Sequence, residues 1–232
     1  MAITVSDGGE QGAVHGFNDR FYETLTQKLQ QVEQATSADV VVAIEPWSGN
    51  YRDVDFAFGM GLSLVGIAAL LYTPWDYPAW TVLVDALAFF AAGAWLCHAA
   101  PPLRRLFTSS KRREAQVQAA AAAEFHDANI WITHRRTALL IYVSLLEKEL
   151  LVLADSGIAA AMGDQAWKEC VDQLRSFRAA PKLPDHLVSG LDELGKRLAA
   201  TLPSAESNPH EIADIVVHPV HHAIGRLHSA PR

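Results

Sequence analysis

Residues 56–72 read FAFGMGLSLVGIAALLY and residues 79–100 read AWTVLVDALAFFAAGAWLCHAA, two apolar runs of 17 and 22 residues separated by the turn TPWDYP. A hydrocarbon layer of ~30 Å takes about 20 helical residues at 1.5 Å each, with a lower limit near 17. Both runs reach that range. In lipid every backbone amide must be bonded within its own segment, and two helices joined at the far interface meet that demand. Trp75, Tyr77 and Trp80 near the turn, with Trp95 toward the other end, fit an interfacial aromatic belt. The runs lie far from the first residues, MAITVSDGGEQG, which lack the charged-then-apolar pattern of a secretory leader. The expectation is a transmembrane helical hairpin over residues 56–100.

The flanks orient it. Arg104, Arg105, Lys111, Arg112 and Arg113 follow the second run, whereas the connecting turn carries only Asp76. The positive-inside rule then places the turn outside, and both the N- and C-terminal parts in the cytoplasm, of an inner-membrane protein with two spans. The same basic run could hold anionic headgroups, at ~1 kcal/mol per residue near the surface. Asp85 is the one ionisable residue well inside the apolar stretch. An intramembrane carboxylate points to an ion or proton site, which with two spans per chain requires an oligomer. Because Asp85 lies near the outer interface, a water-reached acid without a role is the other reading.

The whole chain has 232 residues and a net charge of −7. That balance argues against nucleic acid as a partner, since phosphate recognition needs a basic surface. Cys97 and Cys170 stand far apart with no CxxC or Cys/His spacing, which argues against a disulfide scaffold and a thiolate zinc site.

Outside the hairpin, residues 1–14 read as a disordered leader and residues 204–232 as a flexible His- and Pro-rich tail. Phe17, Phe21, Leu25, Leu29 and Val32 recur at helical spacing over residues 17–35. Residues 37–46, SADVVVAIEP, are a short Val-rich run and read as a buried strand. Residues 109–127 are rich in Ala and Gln and read as a helix. Residues 137–146 and 149–154 predict two strands paired antiparallel through a tight turn at Glu147 and Lys148. Helices follow over about 158–161, 165–177 and 185–202. Continuous apolar strands between helices imply an α/β domain with a helix-covered sheet, built from residues 15–55 and 101–203 and interrupted by the hairpin.

The run THRRTALLIYVSLLEKELLVLADSGI (residues 133–158), followed by GDQAWKECVDQL (residues 163–174), resembles the TPM-domain family, and more closely its bacterial subgroup of membrane proteins. The upstream TSADVVVAIEP strand and the place of the hairpin are similar to that subgroup, and NPHEIADIV near the C-terminus is loosely similar to its tail motif. The resemblance covers roughly residues 17–217. It implies an α/β sandwich and, for some members, divalent-metal binding or a weak acid phosphatase activity. Ala138 stands where the family usually has Gly.

Asp155 follows an apolar strand and Asp164 opens a helix after a short Gly-containing segment, positions that suit a hard cation such as Ca²⁺ or Mg²⁺. Two acids are too few for a full shell, and waters, carbonyls and Asp39 or Asp127 would have to supply the rest. The alternative makes Asp164 an N-cap and gives Asp155 a turn. Arg136, with Arg135, could neutralise a phosphate, or pair with Glu147, Glu149 or a lipid headgroup. No nucleophile motif accompanies them, so catalytic residues are unassigned and an enzyme reading rests on the resemblance. His210, His218, His221, His222 and His228 could bind a transition metal or belong to a plain polar tail. The expected function is a membrane-anchored binding or accessory module, bound to the bilayer and to a membrane-protein partner or a second copy. A metal-dependent phosphatase and an oligomeric ion pathway through Asp85 are the alternatives.

Overall fold

The computed structural model describes residues 4–5, 19–74, 78–127, 130, 136–175, 183–204 and 215–217. The chain divides into two compact units, one formed by Met1–Trp47 with Val117–Arg232, the other by Ser48–Gln116. The second unit takes in residues 48–55 and 101–116, which the sequence reading gave to the α/β domain.

The first unit is built on a five-stranded sheet. Its strands are β1 (Thr4–Val5), β2 (Asp39–Glu45), β3 (Ala138–Ser144), β4 (Glu149–Ala154) and β5 (Ile215–Val217). Their order is β1-β5-β2-β3-β4. All neighbours pair in parallel except β3 and β4, which are antiparallel. In β2 and β3 every residue is buried, because both faces are covered. Val40, Val42, Ile44, Leu139, Ile141 and Val143 face one core, and Val41, Ala43, Leu140 and Tyr142 the other. Alternate residues of a strand point to opposite faces, so a sheet covered twice reads as an unbroken apolar run.

The first core is closed by α1 (Asp19–Ala35), α6 (Ser156–Met162), α7 (Asp164–Arg175) and α8 (Leu183–Thr201). Phe21, Leu25, Leu29 and Val32 of α1, with Leu187, Leu191, Leu194 and Leu198 of α8, keep the i, i+3/i+4 spacing that sends one helix stripe inward. Val117 and Ala121 of α5 (Ser110–Asp127), with Ile130, close the second core.

Three expectations change here. Thr4–Val5 and Ile215–Val217 are strands of the sheet, where the composition suggested a leader and a tail without structure. The trio Ile-Val-Val has strong β propensity, and averaging over its Pro- and His-rich surroundings conceals it. The connection between β3 and β4 is a four-residue turn over residues 145–148, with Lys148 at φ 53°, rather than a two-residue turn. Its Glu147 side chain is buried and accepts a hydrogen bond from the Ser144 hydroxyl.

The second unit contains α2 (Arg52–Leu71), α3 (Ala79–Ala99), α4 (Pro101–Phe107) and the first residues of α5. Helices α2 and α3 pack antiparallel at very short range. The Ser63 hydroxyl donates to the Ala86 carbonyl oxygen at 2.9 Å, and the rings of Phe56 and Phe90 stack 6.1 Å apart. Both helices are long and apolar enough to cross a membrane, and only 22% and 11% of their apolar windows are buried. Residue 100 interrupts the helix. α4, which the sequence reading left out, starts afresh on Pro101 and Pro102. Proline in the first turn lacks only an amide that would have no helical partner.

Candidate functional site

The polar groups of the second unit gather at the foot of the α2–α3 hairpin. Asp53 and Asp55 lie in the first turn of α2, where the helix dipole favours carboxylates. Arg104 of α4 donates to both oxygens of Asp55, from Nε at 2.8 Å and from Nη2 at 2.5 Å. This pair is withdrawn from solvent, with the Asp55 side chain 7% and that of Arg104 12% exposed. His98, at the end of α3, is 69% exposed and places Nδ1 3.4 Å from Asp55 Oδ2 and against the Arg104 guanidinium. The Asp55 hydrogen bond pushes the Arg104 pKa up, so the guanidinium stays charged at any working pH.

A second, more exposed pair lies beside it. Arg112 of α5 donates to both oxygens of Asp53 at 2.6 and 2.9 Å, donates to the Asn50 carbonyl at 3.3 Å, and stands 5.9 Å over the buried Tyr51 ring. Arg113 donates from Nη1 to the carbonyl oxygens of Arg105, at 3.0 Å, and of Thr108. The chemistry of this foot is electrostatic. It neutralises the start of α2 and ties α4 and α5 to it. Sequence reasoning missed the pairs because it counted the basic flank by sign and began the apolar run at Phe56. The signal was two acids on one side of the hairpin and five cations on the other.

The residues singled out for metal or phosphate lie in the first unit. Asp155 is the N-cap of α6, and its Oδ1 accepts from the Ser156 amide at 2.6 Å and the Ser156 hydroxyl at 3.1 Å. Asp164 is the exposed first residue of α7, following Gly163. The seven residues of α6 and Gly163 separate the two along the chain.

β4 runs antiparallel to β3, so Asp155 lies at the amino end of the parallel strands β2 and β3, not at the carboxyl end where α/β sheets present ligands. At that amino end Asp155 has Arg136 nearby: the Asp155 amide donates to the Ala138 carbonyl at 2.9 Å, and the Gly157 amide to the Arg136 carbonyl at 3.0 Å. Arg136 is exposed with φ 52°. Asp39 opens β2 at the same end, opposite Ala138, and its side chain is buried. Asp127 is the last residue of α5. Among the described residues no group of three or more His, Cys, Asp or Glu side chains stands ready to hold a metal ion.

Asp85 lies on α3, half-buried, and among the described residues no hydrogen bond or ion pair reaches it. Arg135, Trp75, Tyr77 and the histidines at 210, 218, 221, 222 and 228 lie outside the described residues.

No family model matches the chain, and no curated protein does. Among solved structures it is similar to the NMR structure of the BA42 protein from the psychrophilic bacterium Bizionia argentinensis. The two share 14% identity over 89% of this chain and 98% of that one, with a TM-score of 0.54. At that identity the likeness is one of fold, and it accords with the α/β sheet.

Proposed function

We propose that the chain is a two-span inner-membrane protein whose hairpin anchors a TPM-like α/β domain, which acts as a binding or accessory module on a membrane partner or a second copy. The observation that carries the reading is the uncovered apolar surface of the hairpin. Met60, Leu64, Val65, Trp80, Leu83 and Trp95 are all more than half exposed, whereas a soluble helical hairpin would turn such side chains inward. Lipid is the solvent that accepts this surface, and the basic foot at residues 104–113 sets the cytoplasmic side. Asp85, unpaired among the described residues of its own hairpin, favours assembly with another chain, where a polar group in lipid finds its bond.

The test has two steps. Membranes bearing the full chain are washed with alkaline carbonate, and the chain is then isolated in mild detergent to find what travels with it. The reading expects retention in the membrane and a stable stoichiometric companion, another protein or a second copy, that survives Asp155→Asn. Release by carbonate sinks the anchor, and a lone monomer sinks the module. Phosphate release from an aryl phosphate that Asp155→Asn abolishes would favour the phosphatase instead.

A further inference from the structure

The five cations after the second span are not equivalent. Arg104 is neutralised by Asp55, Arg112 by Asp53, and Arg113 directs Nη1 to backbone carbonyls. Arg105 and Lys111, on either side of the α4–α5 corner, have no side-chain partner among the described residues. Beside Arg105 stand Leu106 and Phe107, 75% and 57% exposed, on a helix that begins immediately after α3. The Phe107 ring lies 5.4 Å from that of Phe58 in α2, so this apolar edge is continuous with the hairpin.

We propose that this corner binds anionic phospholipid, with Arg105 and Lys111 on the headgroup phosphate and Leu106 and Phe107 seated at the acyl boundary. The inference rests on the membrane-anchor reading and names the lipid class that it takes. Charge complementarity selects the occupant. Six cations (Arg52, Arg104, Arg105, Lys111, Arg112 and Arg113) stand against three carboxylates (Asp53, Asp55 and Glu114) at this foot, in a chain whose overall charge is −7. An acidic protein is repelled by an anionic leaflet everywhere except at such a patch. The neighbouring leucine and phenylalanine distinguish a bilayer surface from a soluble phosphate, since a free anion gives them nothing to enter. Interfacial helices combine these two features, apolar side chains below and cations at headgroup height.

The experiment uses the full chain in neutral detergent, titrated with dioleoyl phosphatidylglycerol or dioleoyl phosphatidylcholine, with bound lipid counted by native mass spectrometry. Half-saturation is expected at a tenfold or greater lower concentration for phosphatidylglycerol. Arg105→Gln/Lys111→Gln raises that concentration roughly 30-fold, as two interfacial charges predict, and leaves phosphatidylcholine unchanged. Arg105→Lys/Lys111→Arg keeps the preference. Equal binding of both lipids by the wild type overturns the inference, as does an undiminished preference in the double glutamine variant. Inorganic phosphate displacing phosphatidylglycerol would overturn it too, by showing an anion site indifferent to the bilayer. Carbonate extraction of the same preparations separates the two levels. Wild type released from membranes fails the anchor reading, whereas wild type retained without lipid preference fails this inference alone.

Discussion

Gly59 and Gly61 stand two residues apart on α2, and the same substitution at each should have unequal effects. A Cβ at Gly59 would lie 2.6 Å from the Phe90 carbonyl oxygen and 3.1 Å from both the backbone nitrogen and the Cβ of Ala94. The nearest of these is backbone of the facing helix, so no rotamer change relieves the contact and α3 must move. A Cβ at Gly61 meets no atom within 4 Å. Alanine is better than glycine in a helix by about 1 kcal/mol at either site. Overpacking costs ~1–3 kcal/mol. Gly61→Ala should therefore stabilise the hairpin by about 1 kcal/mol. Gly59→Ala should leave it unchanged or weaken it by up to about 2 kcal/mol. The difference between them isolates the steric cost, because propensity cancels. Gly66→Ala should fall between, since its Cβ meets the Phe89 ring, a side chain that can turn. The assay is unfolding in neutral micelles by added sodium dodecyl sulfate, followed by helical ellipticity and by the fluorescence of Trp80 and Trp95. Equal shifts for Gly59→Ala and Gly61→Ala would refute the close crossing of α2 and α3.

The Asp55–Arg104 pair should behave as a buried one: Asp55→Ala or Arg104→Ala alone costs ~3–5 kcal/mol, and the double variant much less than their sum, as a double-mutant cycle in the same micelles will read. Asp155→Ala should cost about 1 kcal/mol through the lost α6 cap, with Asp155→Asn costing less, in urea unfolding of the first unit followed by the fluorescence of Trp167. Lys196 and Lys28 hold the Asp192 carboxyl down to about 2 from 3.8. A carboxyl lowered on folding stabilises above its unfolded value and loses that contribution as pH falls through the folded one. The urea midpoint of Asp192→Asn should thus lie below wild type near neutral pH, and the gap should close between about pH 4 and pH 2, where unchanged spacing would contradict the pairing.

The sheet was legible where its strands read as apolar runs, β2 and β3 buried on both faces and the edge strand β4 only in part. Residues 37–46, 137–146 and 149–154 announced strands because their centres are unbroken apolar runs, and β2, β3 and β4 lie within those bounds. β5 was not legible, since three residues between polar, Pro- and His-rich stretches give no periodicity to read. α4 escaped because Pro101 and Pro102 look like a break, although proline opens a helix as readily as it ends one. The end of the sheet at which Asp155 stands was not legible. Asp155 does end a strand, but the direction of β4, which decides which end of the sheet that is, depends on pairing and not on composition. At the foot of the hairpin the residue types were visible and their partners were not. Asp55 and Arg104 are 49 positions apart, and only the return of α3 beside α2 brings them together.

Thiol accessibility tests the central claim most directly. Cys97 and Cys170 are buried, so the wild type supplies a low background. Single cysteines at Thr73, beside the connecting turn, and at Ser204, after α8, are reacted with a membrane-impermeant maleimide on intact cells and again after lysis. The account expects Thr73→Cys to label before lysis and Ser204→Cys only after it. Labelling of Ser204→Cys in intact cells, or protection of Thr73→Cys until lysis, would contradict it.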